Sequence, residues 1–312
     1  MSGDELGTTG GKGRAVALGN FDGVHLGHRI VLEKTIDEGK RRDLEVIAAT
    51  FDPHPREVLK PESAPRLLTD IATRRRLLIE AGMDDVAVVA FDRDLSTESP
   101  EEFVSSILIE SLRARIVVVG KNFRFGYRAS GDIVDLQRIM ASFGGEAFGV
   151  GVRLESEEDI SSTRIRELLT HGDVAGAARL LGRPHEVRGT VIPGDRRGRT
   201  IGFPTANVLP PQDILVPARG VYACRVRLGE ATYPACVNVG LAPTFGERES
   251  RVEAHLLDFE EDIYGEVLNV GFVERLRGEQ KFSGVEELVA QIRRDVQRSR
   301  EVPGVVSSFD GN

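Results

Sequence analysis

The chain has 312 residues, which at about 100–200 residues per domain predicts two domains. It carries 41 Lys and Arg against 49 Asp and Glu, so its formal net charge of -8 gives no support for a nucleic-acid or anionic-membrane partner. No apolar run reaches the roughly 18 residues that a membrane span needs, and the first residues are polar rather than signal-like, so we expect a soluble, cytoplasmic protein. Cys224 and Cys236 show no CxxC spacing, which predicts buried, reduced thiols.

The first half of the chain predicts a parallel α/β domain. Residues 1–13 are predicted to form a disordered tail, in which the Gly-rich stretch fails the Walker A spacing. Helical segments are predicted at Thr69–Ala81, with Thr69 as its N-cap, and at Pro100–Leu112. They alternate with β-rich runs at Ala15–Leu18, Glu45–Thr50, Asp85–Ala90, Arg115–Val119 and Ala147–Val152. This alternation indicates a doubly wound sheet, with a ligand site beyond the carboxyl ends of its strands.

The second half predicts a small antiparallel β-barrel. A helical region at Ser161–Leu181 and a linker at residues 182–185 precede it, so the predicted domains are 14–182 and 183–300. Short strands punctuated by Pro and Gly are typical of such barrels. They are predicted at Glu186–Ile192, Gly220–Leu228, Tyr233–Val239, Arg251–Phe259 and Glu266–Phe272. A last helix, Gly284–Arg298, is expected to pack across the barrel, and residues 301–312 to form a tail.

The segment GNFDGVHLGH, residues 19–28, follows the first predicted strand and opens a helix. Backbone N–H groups and the positive helix end receive phosphate in this context. His25 and His28 are three residues apart and therefore share a helix face. They can grip a nucleotide polyphosphate, ligate a metal or simply cap the helix, but the sequence shows no third metal ligand. The later segment ISSTRIR, residues 160–166, places two arginines in the first turn of a helix. Their positive charges are repelled by the positive end of the helix dipole, and a bound anion would offset that repulsion.

Two further segments end predicted strands at the same sheet edge. They are TFDPHP, residues 50–55, and GKNFRFG, residues 120–126. Phe51, Phe123 and Phe125 suit a flat aromatic pocket, although single apolar residues at strand ends more often belong to the core.

A second phosphate-binding segment is GDRRGRTIGFPTAN, residues 194–207, which is not a P-loop. Thr205 and Asn207 offer neutral oxygens suited to a Mg²⁺ ion that carries ATP phosphates. In RVEAHLLD, residues 251–258, strand alternation places Glu253 and His255 on one face. The alternative is a Gly-rich barrel turn with solvated arginines and a solvent-facing carboxylate.

Together these motifs resemble one family over residues 14–298. The first four segments are similar to the adenylyltransferase module of the bifunctional riboflavin kinase/FAD synthetase family. The barrel motifs GFPTAN, NVG (238–240), PTF (243–245), VEAHLLD and LRGEQKFS (276–283) resemble its riboflavin kinase barrel. The resemblance implies that the C-terminal domain phosphorylates riboflavin to FMN with Mg²⁺-ATP. It also implies that the N-terminal domain transfers AMP from a second ATP onto FMN, which releases pyrophosphate and FAD.

The resemblance also implies the site residues. In the adenylyltransferase site, His25 and His28 are implied to be catalytic, and ATP is bound by Gly19, Phe21, Asp22, Gly27, Ser162, Thr163 and Arg166. The flavin contacts are implied to be Phe51, Asp52, Asn122, Phe123, Phe125 and Arg275. In the barrel, Glu253 is the implied base, and ATP is bound by Gly198, Gly202, Thr205 and Asn207, with Thr205 and Asn207 as the Mg²⁺ ligands.

Two other functions stay open at the level of sequence. One is a monofunctional adenylyl- or cytidylyltransferase for another acceptor, with a structural barrel. The other is a non-catalytic flavin-sensing or RNA-binding protein, and the net negative charge of the chain counts against RNA binding. The expected partners are small molecules rather than nucleic acid or membrane. The sequence does not decide between a monomer and a homo-oligomer, or between Mg²⁺ and Mn²⁺.

Overall fold

A computed structural model of the chain describes residues 13–151, 160–194, 197–241 and 250–305. It divides into two compact units. The first, here called the sheet unit, comprises the described residues of Met1–Pro65 and Arg74–Glu158. The second, the barrel unit, comprises those of Arg66–Thr73 and Asp159–Asn312. Most of the predicted N-terminal tail and the PTF motif lie outside the described residues.

The sheet unit is built on five parallel strands in the order β3-β2-β1-β4-β5. They are β1 (Arg14–Leu18), β2 (Glu45–Asp52), β3 (Asp85–Ala90), β4 (Ala114–Gly120) and β5 (Glu146–Val150). Alternate residues of β1 pack into two separate apolar clusters, one on each face of the sheet. The doubly wound prediction is confirmed, and the order reverses between β1 and β4, where such sheets bind ligands.

The helices around this sheet are α1 (Leu26–Arg41), α2 (Pro55–Leu59), α3 (Ile71–Glu80), α4 (Pro100–Phe103) and α5 (Ile133–Ser142). The two helices predicted to begin at Thr69 and Pro100 begin at Ile71 and Pro100. Helix α4 continues as a π-helical segment, Val104–Ser111, within the single predicted helix. Thr69 is not the N-cap of α3, because Asp70 Oδ1 accepts the backbone N–H of Thr73 at 2.7 Å.

The barrel unit contains a closed antiparallel barrel in the order β10-β7-β6-β11-β8-β9, which confirms the prediction. Its strands are β6 (His185–Ile192), β7 (Ala206–Leu209), β8 (Gly220–Leu228), β9 (Ala231–Leu241), β10 (Ser250–Leu256) and β11 (Val267–Arg277). Its helices are α6 (Ser162–His171), α7 (Val174–Leu181), α8 (Arg197–Thr200) and α9 (Val285–Glu301). The one predicted helical region is split in two because Gly172, at φ +79°, terminates α6.

The limits of the barrel unit differ from the predicted domain boundaries. Helix α7 packs on β6 and β11, so the unit begins well before residue 183. At the other end, Val302 and Val305 are buried against Val221 and Leu276, so the folded unit continues past residue 301.

Both cysteines are free thiols. Burial raises the pKa of Cys236 to about 11 and raises that of Cys224 well above its usual value. Within the described residues no helix is both long enough and apolar enough to cross a membrane.

Candidate active sites

The first candidate site is the turn between β1 and α1. Phe21 and Val24 have φ values of +48° and +40°, a region that residues other than glycine rarely adopt. Both side chains, and that of Asp22, are buried, and so is Gly27 in the first turn of α1. At Gly19, a Cβ atom would lie 3.3 Å from the Phe21 ring. The surrounding packing therefore holds the predicted phosphate-binding turn in an unusual conformation.

His25 is the N-cap of α1, because its Nδ1 accepts the backbone N–H of His28 at 3.2 Å. A neutral imidazole that accepts at Nδ1 carries its proton on Nε2, so His25 offers an N–H donor there. The two rings stack with 3.5 Å between their centroids. Burial lowers the pKa of His28 well below its usual value, and the positive charge of Arg74, or of His25 when that ring is protonated, lowers it further. His28 is therefore neutral at neutral pH, and its buried Nδ1 has no hydrogen-bond partner among the residues that the structure describes.

Arg74, on helix α3, supports this turn through the neighbouring strand β2. The side chain is 1% exposed, and its Nη1 donates to Thr50 Oγ1 and to the Phe51 carbonyl, both at 3.2 Å. Thr50 Oγ1 in turn donates to the Asn20 carbonyl at 2.9 Å. One buried guanidinium thus ties the carboxyl end of β2 to the GNFDGVHLGH turn and places a positive charge near His28.

The predicted flavin contacts fall into two groups by burial. Phe51 and Phe125 are each 6% exposed and belong to the core of the sheet unit. Phe123 is only partly buried and stacks on Phe125, with ring centroids 5.8 Å apart. Asp52 and Asn122 are exposed at the ends of β2 and β4. Among the three aromatic rings, Phe123 has the most surface available to a ligand, and the flavin contacts stay a prediction.

The ISSTRIR segment begins α6, as expected. Ser161 caps the helix by accepting the Arg164 backbone N–H, which places Ser162 and Thr163 in its first turn. Arg166 Nε donates to the Arg66 carbonyl at 2.7 Å. These residues belong to the barrel unit, and their role in binding ATP stays a prediction.

Arg275 is engaged by backbone carbonyls. Its Nη1 donates to the His171 carbonyl at 3.2 Å and its Nη2 to the Arg219 carbonyl at 2.7 Å. The guanidinium thus holds the end of α6 against the loop before β8, and its predicted contact with flavin stays a prediction.

The second candidate site is a row of polar residues across three barrel strands. Glu253 on β10 pairs in register with Asn207 on β7 and with Asn238 on β9. Asn238 Nδ2 donates to Glu253 Oε2 at 3.3 Å. Val252 and Ala254 are fully buried, so the predicted alternation of β10 is confirmed. Glu253 therefore projects from the barrel with its orientation fixed from the neighbouring strand.

Arg251 lies on the same face of β10 as Glu253. Its Nε and Nη2 donate to Asn207 Oδ1 at 2.9 and 2.6 Å. The same Nε lies 3.0 Å from Glu253 Oε1. The guanidinium thus contacts both the predicted base and a predicted metal ligand.

The loop that carries Thr205 is held against β10. A Cβ atom on Gly198 would lie 2.3 Å from the Phe203 carbonyl oxygen, and Gly202 has φ +86°, so both positions require glycine. His255 Nδ1 donates to the Pro204 carbonyl at 2.7 Å.

Two cavities meet at this loop, and Thr205 and Asn207 line both of them. The larger, about 770 Å³, includes Asn238, Arg251, Glu253, Arg277 and Phe282 in its lining. The smaller, about 360 Å³, includes Arg199, Glu260, Glu261, Asp262 and Tyr264. The two cavities therefore adjoin at the neutral side-chain oxygens of Thr205 and Asn207. The carboxylate of Glu253 lines the larger cavity.

The predicted Mg²⁺ ligands do not fit a metal ion while Arg251 holds this position. Asn207 Oδ1 already accepts two N–H groups from a cation, so a second cation at that oxygen would be repelled. Of the two predicted ligands, Thr205 is exposed, and its hydroxyl oxygen is accessible to a metal ion. In the part of the chain that the structure describes, no group of three or more His, Cys, Asp or Glu residues is placed to hold a metal ion.

Comparison with known proteins assigns both halves of the chain. The family models for FAD synthetase and riboflavin kinase match residues 9–164 and 181–302. The chain is 40% identical over 295 residues to the bifunctional riboflavin kinase/FMN adenylyltransferase of Escherichia coli K12, covering 94% of each protein. It is 37% identical over 289 residues to that of Listeria monocytogenes, covering 92% of this chain and 91% of the relative.

The chain belongs to the bifunctional riboflavin kinase/FMN adenylyltransferase family. The predicted enzyme class and its place in flavin cofactor biosynthesis are thereby confirmed. A solved structure described as a macrolide-efflux protein from Streptococcus pneumoniae is also similar, with a TM-score of 0.84 and 33% identity. That similarity covers 94% of this chain and 96% of the other.

Three side chains at these sites escaped the sequence analysis. Arg74 is the first of three consecutive arginines on a helix, a pattern typical of a solvated face. Asn238 belongs to the NVG motif of the family resemblance. Its hydrogen bond to Glu253 became evident only from the structure, which pairs the two residues in register on neighbouring strands. Arg251 precedes Glu253 by two residues, so the alternation that found Glu253 places Arg251 on the same face.

Proposed function

We propose how two parts of this enzyme divide flavin cofactor synthesis. The barrel phosphorylates riboflavin to FMN, and the predicted N-terminal domain, residues 14–182, adenylylates FMN to FAD. The observation that carries the kinase assignment is the position of Glu253, oriented by Asn238 and set in a large cavity beside the Thr205–Asn207 donors. A purely structural barrel would have no use for this arrangement.

In the kinase reaction, the larger cavity receives riboflavin and the smaller receives the adenosine part of ATP. The acidic residues Glu260, Glu261 and Asp262 suit hydroxyl and amino donors of a nucleoside rather than phosphate. The terminal phosphoryl group then lies at the boundary between the cavities. Glu253 accepts the proton of the ribityl hydroxyl as that oxygen bonds to the γ-phosphorus and the bond to ADP breaks.

In the adenylyl transfer, a phosphate oxygen of FMN attacks the α-phosphorus of ATP and pyrophosphate leaves. FMN brings an ionised nucleophile, so the enzyme needs charge stabilisation more than a base. The Nε2–H of His25, the neutral His28 and the amino end of α1 supply donors at this turn. We assign Ser162, Thr163 and Arg166 to ATP on the family signature, and Phe123, Asp52 and Asn122 to the flavin. Mg²⁺ is proposed to accompany ATP in both reactions.

Incubating the purified chain with riboflavin, ATP and Mg²⁺ tests the proposal. Chromatography should show FMN first and FAD later, and FMN supplied directly should give FAD. Riboflavin and FMN that both stay unchanged would reject it. FAD formed from FMN alone, with riboflavin untouched, would instead favour a structural barrel. The cytoplasmic location and the absence of nucleic-acid partners stay predictions.

A further inference from the structure

Arg251 lies where the predicted Mg²⁺ ligands, Thr205 and Asn207, would place a cation. Its guanidinium bridges Asn207 Oδ1, at 2.6 and 2.9 Å, and Glu253 Oε1, at 3.0 Å. Arg251 and Glu253 are each about one quarter exposed, whereas Asn207 is 8% exposed. The desolvated surroundings of the asparagine strengthen electrostatic effects at its oxygen.

The Asn207 amide is packed on one side against Gly194, whereas the Arg251 side chain is longer and about one quarter exposed. A Cβ atom on Gly194 would lie 2.1 Å from Asn207 Nδ2, so the amide fills the space beside that glycine. The backbone of Asn207 is fixed in β7 between β6 and β10. The arginine side chain has several rotatable bonds and opens onto the larger cavity. Any cation that reaches Asn207 Oδ1 must therefore displace the guanidinium.

We propose that Arg251 makes the kinase site select the metal–nucleotide complex over the free metal ion. A free divalent cation is repelled by the guanidinium, and because it offers Arg251 no new partner, Glu253 stays paired with Arg251 and the cation gains only the neutral oxygens of Thr205 and Asn207. A metal–ATP complex has a net negative charge, and its phosphate oxygens give the displaced guanidinium a new charge-assisted partner. The inference deepens the proposed kinase function and rests on it.

Titration with Mn²⁺, followed by the electron paramagnetic resonance signal of the free ion, tests this selection on the full chain with and without ADP. Arg251→Gln should bind Mn²⁺ roughly ten-fold more tightly without ADP, because a positive charge within about 4 Å has been removed. It should not bind Mn²⁺ more tightly with ADP. The gain should disappear in the double variant Arg251→Gln/Asn207→Ala, which lacks the oxygen that Arg251 shields.

Two further variants separate charge from shape. Arg251→Lys keeps the charge and should stay near the wild-type affinity for Mn²⁺ alone. Arg300→Gln, which removes an arginine paired with Asp258 elsewhere on the barrel unit, should also match the wild type. Arg251→Met replaces Arg251→Gln if circular dichroism shows that the latter does not fold.

Unchanged Mn²⁺ affinity in Arg251→Gln without ADP would overturn the proposal. So would an equal gain with and without ADP, or a gain that persists when Asn207 is replaced by Ala. The wild-type chain is assayed separately for FMN formation, which tests the kinase function itself. Failure of that assay and failure of the Mn²⁺ titration are therefore distinct results.

Discussion

Glu253 has different neighbours at its two carboxylate oxygens. Asn238 donates to Oε2, and the Arg251 guanidinium faces Oε1. The amide fixes the plane of the carboxylate without neutralising it, and the guanidinium is the partner that can move. If Arg251 turns to phosphate oxygens as proposed, Oε1 becomes the oxygen available to a substrate hydroxyl.

Replacing Glu253 by Gln should lower FMN formation from riboflavin by about 10²- to 10⁴-fold, the usual contribution of a general base. The rate of FAD formation from supplied FMN should stay unchanged, because we assign that reaction to the predicted N-terminal domain and Glu253 lies outside it. Each reaction is followed separately by chromatography. Glu274→Gln is the matched control, since that carboxylate on β11 pairs with Arg298 and lines neither cavity. A near-normal kinase rate in Glu253→Gln would remove the residue from the mechanism.

His28→Ala should lower FAD formation and leave FMN formation intact, the reverse of the result expected for Glu253→Gln. The loss of one preorganised donor at a phosphoryl centre costs about 10²- to 10³-fold in rate, so FAD formation from FMN should fall by that order. FMN formation from riboflavin should persist. His171→Ala, at the end of α6, controls for the loss of a histidine outside this turn. If the kinase rate falls as well, the two activities are not independent.

Strand β2 and helix α3 act together on the adenylyltransferase site. The carboxyl end of β2 carries the TFDPHP segment, and Arg74 of α3 is buried beneath it. Thr50 and Arg74 are 24 residues apart in sequence. The helix holds the Arg74 guanidinium in place, and Thr50 Oγ1 and the Phe51 carbonyl accept its hydrogen bonds. The position of the loop therefore depends on a helix that itself bears no predicted catalytic residue.

Arg74→Met should destabilise the sheet unit by about 1–3 kcal/mol, because the Phe51 carbonyl loses its buried donor. It should also raise the pKa of His28 towards its ordinary value, since one of the charges that lower it is gone. Denaturant unfolding measures the first effect, and proton NMR titration of the imidazole measures the second. Arg76→Met, which removes an i,i+4 partner of Glu80, should change stability by less than about 1 kcal/mol. An unshifted His28 titration would show that Arg74 does not act on the histidine.

The elements that the sequence predicted are those with a strong periodic signal. The strand at Asp85–Ala90 was found with its observed bounds. Strand β7 was missed because four residues between Pro204 and Pro210 show too little alternation. At the sites, periodicity found Glu253, whereas Arg74 gave no local signal because its partners lie far away in sequence. The burial of Phe51 and Phe125 likewise depends on packing from several elements.

Each unit of the molecule contains a histidine that is held neutral. In the sheet unit this is His28. In the barrel unit His185 is 2% exposed, its Nε2–H donates to the Leu215 carbonyl at 2.9 Å, and burial lowers its pKa to about 4. In the unfolded chain both rings take up a proton near pH 6.5.

Stability should therefore be lost on acidification. The unfolded state binds more protons than the folded state below about pH 6.5, so the free energy of unfolding falls as pH decreases from there towards 4. The slope should approach about 1.4 kcal/mol per pH unit for each such histidine. Urea unfolding at pH 7, 6 and 5 measures it. His185→Gln should reduce the slope of the barrel unit. A stability that is constant between pH 6.5 and 5 would contradict the prediction.

The wall that Thr205 and Asn207 form between the two barrel cavities has a pharmacological consequence. A compound that joins a nucleoside mimic to a tricyclic ring system through a short anionic spacer would occupy both compartments at once. Tethering makes the second binding event intramolecular, so the affinity of such a bisubstrate inhibitor should exceed that of either fragment by orders of magnitude.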